Sequence, residues 1–140
     1  MKTFDGLETK NFEVFDGLEY FRLLTEEEGY GQIPLAEYLE AYSIRLEERL
    51  LEIGVPGIIH GASNFMNGYA AVSVAKRLGV KSIYEVRGLW EVTRASRQKS
   101  WEGSQHYKLL AKLEAEVASE ADHVFCITNA LANEMERRGV

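Results

Sequence analysis

Several things are scarce in these 140 residues, and each scarcity closes off a class of function. There is one cysteine, Cys126, so no disulfide can form within the chain, and a reducing compartment is the simplest setting. Cys126 lies in an apolar run and reads as a packed thiol rather than a nucleophile. No apolar run approaches the roughly 18 residues that span a bilayer, and no signal peptide follows Met1. A cytoplasmic location is the expectation. Positive charge is in deficit: the formal net charge is -6. That argues against nucleic acid as a partner, because its phosphates reward clustered Lys and Arg. His106, His123 and Cys126 lack ligand spacing, so no metal site is expected. There is no P-loop, no Gly-x-Gly-x-x-Gly after a strand and no Asp-x-Asp pair, so nothing points to a resident cofactor.

What is present suits one packed domain, with 46% hydrophobic and 27% charged residues. The pentapeptide FDGLE occurs twice, at 4–8 and 15–19. In the second copy, Asp16-Gly17 between NFEVF and LEYFRL predicts a hairpin with a type I′ turn. The first copy is another turn or an accident. After Pro34 the period changes: Leu35, Leu39, Tyr42, Leu46, Leu50 and Ile53 mark one face of a long helix. Gly54 is placed to stop it in the left-handed conformation. The opposite face, with Glu37, Glu40, Glu47, Glu48 and Glu52, reads as solvated.

Three units on one plan follow. Short apolar strands are predicted at 57–60, 82–86 and 123–127. Helices follow from about residue 67 to Leu78, from about residue 104 to 121, and from Thr128 to Gly139. Read as buried on both faces, such strands imply parallel pairing in a doubly wound α/β sheet, where ligands bind beyond the carboxyl ends of the strands. Two such ends are rich in polar residues. In IIHGASNFMNG, the residues His60, Gly61, Ser63, Asn64 and Asn67 surround a helix start, which suits an anion or a sugar hydroxyl. The plainer alternative is that one of the polar three caps the helix, and that His60 is a satisfied core histidine. In SIYEVRGLWEVTRASRQKSW, a strand runs into a loop with Arg87, Arg94 and Arg97. Arginine donates in pairs to phosphate or carboxylate, or could merely pair with Glu85 and Glu91 to lock the loop. Trp90 either stacks on a sugar or packs the loop down. The near-match to a nucleophile elbow at Gly61-Ala62-Ser63 has Phe65 where the final glycine belongs and no Asp-then-His at suitable spacing. A serine hydrolase at Ser63 is therefore the least favoured reading.

Taken in order, IIHGASNFMNG, VKSIYEVRGLWEVTR and EAEVASEADHVFCITNALANEMERRGV resemble the N-terminal, acceptor-side domain of family 4 glycosyltransferases with the GT-B fold. The resemblance covers residues 57–140 and implies a Rossmann-like parallel sheet with flanking helices, here preceded by the hairpin at 12–23. It implies a retaining hexosyl transfer from a nucleotide-sugar, with a sugar or sugar-phosphate acceptor held by this domain at the inner face of a membrane. Arg87, Arg94 and Arg97 would meet that acceptor, with Gly61, Ser63, Asn64, Asn67 and His60 beside them. Relatives often carry a second histidine where this chain has Ala62, and a glycine-rich first strand has no counterpart here. The donor would bind a C-terminal domain containing a Glu-x7-Glu pair; the formal matches Glu19/Glu27 and Glu40/Glu48 read as coincidence. The expectation is a single, incomplete acceptor-side domain over residues 1–140, inactive alone. The alternative is a non-catalytic α/β module that self-associates as a homo-oligomer through an open sheet edge.

Overall fold

The computed structural model describes residues 3–4, 7–8, 10–23 and 33–140. Two short antiparallel ladders come first. Strand β1 (Thr3–Phe4) pairs with β2 (Leu7–Glu8), Phe4 opposite Leu7. The intervening Asp5-Gly6 of the first FDGLE copy lies outside the described residues, as does Glu27 of the formal Glu19/Glu27 pair. Strand β3 (Phe12–Phe15) pairs with β4 (Leu18–Phe21), Phe15 opposite Leu18. Asp16 and Gly17 have φ of 51° and 78°. Both central residues thus take the positive φ that a type I′ turn requires, as Asp-Gly predicted. Phe21 lies under the Arg49 guanidinium at 3.9 Å, which ties the hairpin to the first helix.

Helix α1 (Leu35–Ile53) starts after Pro34, as expected. Its end differs from expectation. Gly54 has φ 108° and ψ 131°, an extended conformation open to glycine but not the left-handed stop. The stripe is only partly used: Leu39 is buried, Leu46 and Leu50 pack against the cluster of Ile59, Ala71, Val74 and Ala75, and Ile53 is exposed. Nor is the acidic face wholly solvated, since Arg77 pairs with Glu47.

The remaining chain forms β5 (Ile58–Ser63), α2 (Phe65–Leu78), β6 (Lys81–Val86), α3 (Trp90–Arg97), a 3-10 turn (Lys99–Trp101), α4 (Gln105–Glu120), β7 (His123–Cys126) and α5 (Asn129–Arg137). The three strands are parallel in the order β5-β6-β7. Helix α2 begins two residues earlier than the sequence suggested, because Asn64 rather than Asn67 caps it. Ser104 and Thr128 cap α4 and α5, and Gly79 ends α2 in the left-handed conformation at φ 69°.

The sheet is one-sided among the described residues. Residues Ile59, Gly61, Ser82, Tyr84 and Val86 face the helices and are buried; Ile58, His60 and Phe125 are exposed. The expectation of strands buried on both faces is therefore corrected. Burial alternates along β6, β7 and the first four residues of β5, as it must when only one face is covered. Helix α2 packs on β5 and β6 and against both α1 and α4, so these helices form one layer. The strand order advances without reversing, so the described sheet is wound in one direction rather than doubly. Two glycines let α2 lie close to the strands. A Cβ on Gly68 would stand 2.7 Å from the Tyr84 ring and 2.8 Å from Val117, and one on Gly61 would stand 2.8 Å from Ala71. No described helix is long and apolar enough to cross a membrane.

Candidate functional site

Alternation along β6 sends Ile83, Glu85 and then Arg87 to the open face of the sheet. Glu85 is the hub there. Arg87 Nε donates to its Oε1 at 2.8 Å, and His60 Nε2 lies 3.2 Å from its Oε2. The Arg87 hydrogen bond holds the Glu85 carboxyl below its usual range, with His60 adding to the effect. Of the two readings of Arg87, the pairing with Glu85 is realised, yet it engages only Nε. Both terminal Nη groups lack a partner among the described residues. His60 is not a core histidine; it is half-exposed on β5. Phe125 stands opposite Glu85 in register and packs edge-on against His123 at 4.7 Å.

The β5–α2 turn holds the second group. Ser63 has φ 97°, a strained value for a residue with a side chain. Asn64 Oδ1 accepts from Met66 N at 3.0 Å and Asn67 N at 3.3 Å, while Asn67 Nδ2 donates to Ala62 O at 2.8 Å. Phe65 N donates to Glu114 Oε2 at 3.1 Å. The first three N–H groups of α2 are thus all occupied from within the protein, and one of the acceptors is a carboxyl group. The anion-binding capacity that the sequence suggested for this helix start is already taken. Gly61 serves the close approach of α2. Ser63 has the strained strand-to-helix position of an elbow nucleophile, but no base hydrogen-bonds to it among the described residues.

Residues 90–97 form α3 where the sequence suggested a loop. The inward face of α3 carries Glu91 and Ala95, so a buried charge breaks the apolar periodicity that would have announced a helix. Glu91 pairs with Arg138 Nη1 at 2.8 Å, not with Arg94. Arg94 stacks over Trp101 at 3.8 Å, and Trp101 contacts the His106 ring at 4.9 Å. Arg97 is exposed and makes no ion pair among the described residues. Trp90 is 53% exposed at the start of α3, so of the two tryptophans it is Trp101 that packs. The structure therefore groups His60 with Arg87, and Ser63 with Asn64 and Asn67, but it does not bring Arg94 or Arg97 to either group.

The sequence reading missed a buried polar cluster on the helix side of the sheet. Glu114, from α4, receives the Tyr84 hydroxyl as well as Phe65 N. Burial pushes the Glu114 carboxyl up to about 7 against these two bonds, which favour its charged form. Burial and the Glu114 carboxylate push the Tyr84 hydroxyl far above its ordinary value. Beside them, Arg138 bonds Glu91, Glu134 at 2.9 Å and Ala111 O at 3.5 Å. One signal was available: Glu114 falls inside the Leu110, Leu113, Val117 stripe. Among the described residues no three His, Cys, Asp or Glu side chains are grouped to hold a metal ion.

These features define a class: a one-sided Rossmann-like α/β domain with a carboxylate-anchored cluster and a capped helix start at the ends of its parallel strands. The family follows from comparison. Residues 8–140 match the sequence model of the glycosyl transferase 4-like domain, and the chain belongs to that family. Comparison with curated proteins gives no match.

Proposed function

We propose that this chain is the acceptor-binding domain of a retaining hexosyltransferase that uses a nucleotide-sugar, a single unit over residues 1–140 that does not transfer sugar alone. The observation that carries the reading is Arg87: Glu85 anchors its Nε at a strand end, leaving two Nη groups to donate to a hydroxyl-rich or phosphorylated acceptor. His60 shares the same carboxylate. Exposed Trp90, three residues on, offers a stacking surface. Gly61, Ser63, Asn64 and Asn67 shape the neighbouring turn; Arg94, stacked on Trp101, and Arg97 lie outside this group on α3 and would meet only an acceptor that extends that far. Transfer also needs a donor positioned in line and its leaving diphosphate stabilised. That task falls to a C-terminal domain of a parent enzyme working in the cytoplasm at the inner membrane face. No cofactor and no nucleic acid enter the scheme.

An amide NMR titration with sugar phosphates, neutral glycosides and nucleotide-sugars tests it. Acceptor-type sugars should shift residues 87–90, those long enough to cross the strand ends should add 63–67, nucleotides should shift neither, and Arg87→Ala should silence the response. No shift with any sugar would end the reading.

One observation favours a second role. Phe125 and Ile127 are 50% and 56% exposed on the open sheet face, and parallel sheets are ordinarily covered on both sides. A self-associating module would hide that face in a homo-oligomer. Sedimentation velocity on the wild type and a Phe125→Ser/Ile127→Ser variant separates the two: a monomer that does not respond to the changes excludes it.

A further inference from the structure

We propose that Glu114 is a positioning residue: its carboxyl group latches the β5–α2 turn, and its proton sets how tightly. The turn is strained at Ser63, with φ 97°, and such a conformation persists only where its surroundings hold it. Three side chains do the holding. Asn64 caps Met66 and Asn67 locally, Asn67 donates back to Ala62 O, and Glu114 reaches from α4 to the Phe65 N–H at 3.1 Å. Among the described residues the Glu114 contact is the one side-chain hydrogen bond that links the turn to another element, beside the Ser63–Val86 backbone pairing, and through Tyr84 it also ties that element to β6.

The groups around the Glu114 carboxyl come from every neighbouring element. Tyr84 on β6 donates to it, and Phe65 N–H does so from α2. Glu91 on α3 raises its proton affinity, while Arg138 at the end of α5 lowers it. Cys126 on β7 feels its charge. Burial is the largest influence and brings the carboxyl to about 7. When ionised, Glu114 is a charge-assisted acceptor for both donors. When protonated, it has a hydrogen to give, the Tyr84 hydroxyl can turn from donor to acceptor, and the Phe65 N–H faces a weaker, neutral partner. Rising pH therefore tightens the turn. The latch itself stands apart from the acceptor reading; only its bearing on sugar binding rests on it.

The test is a pH titration of the whole chain by NMR, from pH 5.5 to 9, following the Glu114 carboxyl carbon and the Phe65 amide proton. The carboxyl should titrate near pH 7, with the Phe65 proton moving downfield at the same midpoint as pH rises. His60→Ala should leave this midpoint in place, and Glu114→Gln should flatten the Phe65 response. Tyr84→Phe, which removes a donor to the anion, should raise the midpoint. A Glu114 carboxyl titrating in the ordinary glutamate range would overturn the proposal, as would a Phe65 response that vanishes with His60 instead. Should Glu114→Gln not fold, Tyr84→Phe decides, and an unchanged or lowered midpoint refutes the latch. Sugar titrations run separately, so a chain that binds no sugar but titrates as described loses the acceptor reading and keeps the latch.

Discussion

Replacing Arg138 with leucine should be among the most damaging single changes in this chain. Its side chain is 11% exposed and its guanidinium bonds Glu91 at 2.8 Å and Glu134 at 2.9 Å, while the Glu91 side chain is 2% exposed. Arg138→Leu strands Glu91 in the interior without a counter-charge, which costs about 3–5 kcal/mol. The Glu134 contact adds only a few tenths, because that side chain reaches solvent. Domains of this size are stable by roughly 5–15 kcal/mol, so the variant should sit near the edge of folding. The converse change, Glu91→Leu, should cost less, since Arg138 keeps Glu134 and its long stem can carry the charge outward. The double variant, with an apolar pair in place of the ionic one, should lie within about 1.5 kcal/mol of wild type. Urea unfolding followed by circular dichroism and tryptophan fluorescence gives all three values, provided the slopes agree. If Arg138→Leu costs under about 1 kcal/mol, or the double variant costs the sum of the singles, the pair does not carry the burden assigned to it.

Four further outcomes follow from the same structure. Gly68→Ala should destabilise by about 1–3 kcal/mol in the same unfolding assay, because the added methyl would stand 2.7 Å from the Tyr84 ring. Asn64→Ala removes the α2 cap and should cost about 1 kcal/mol, whereas Asn67→Ala, which loses only a bond to Ala62 O, should cost less in the same assay. The Asp122 carboxyl is held down to about 2 by Lys81 and by the Ser82 N–H and hydroxyl; the stability it contributes is present above its ordinary 3.8 and lost as pH falls through about 2, so Asp122→Asn should flatten acid unfolding there. Glu114 works in the opposite sense, with a carboxyl raised from 4.5 to about 7. Its contribution to the whole fold is full below 4.5 and lost as pH rises through 7, because the cost of burying the anion outweighs the stronger bonds it accepts at the turn, so Glu114→Gln should remove up to about 3 kcal/mol of pH dependence from thermal or urea unfolding between those values.

Where local chemistry decides the structure, the sequence was legible. Asp16-Gly17 specified its turn, Gly79 its helix stop and Thr128 its cap. Where a distant partner decides, it was not. Helix α3 has no apolar stripe because its inward position belongs to Glu91, and Glu91 is tolerable only because Arg138, 47 residues away, meets it. The α2 helix start looked open to an anion because nothing local shows that Glu114, 49 residues on, already accepts from Phe65 N. The one-sided sheet was hidden for a different reason: Ile58, Ile83 and Phe125 are apolar enough to pass for a second buried face.

Period-two alternation has a consequence for any ligand. Tyr84 and Val86 face the helices, whereas Glu85 and Arg87 lie on the opposite side of the same strand. His60 joins Arg87 on that open side through Glu85. The capped turn of Ser63, Asn64 and Phe65 enters the helix layer and is held from there by Glu114. The two halves of the candidate site are thus separated by the sheet and meet only over the carboxyl ends of β5 and β6, where Ser63 pairs with Val86. On the acceptor reading, a single sugar ring resting on Arg87 leaves the turn untouched, and simultaneous contact requires an acceptor long enough to cross the strand ends. Mono- and disaccharide acceptors should then differ in which amides they move: the smaller shifting only residues 87–90, the larger adding 63–67.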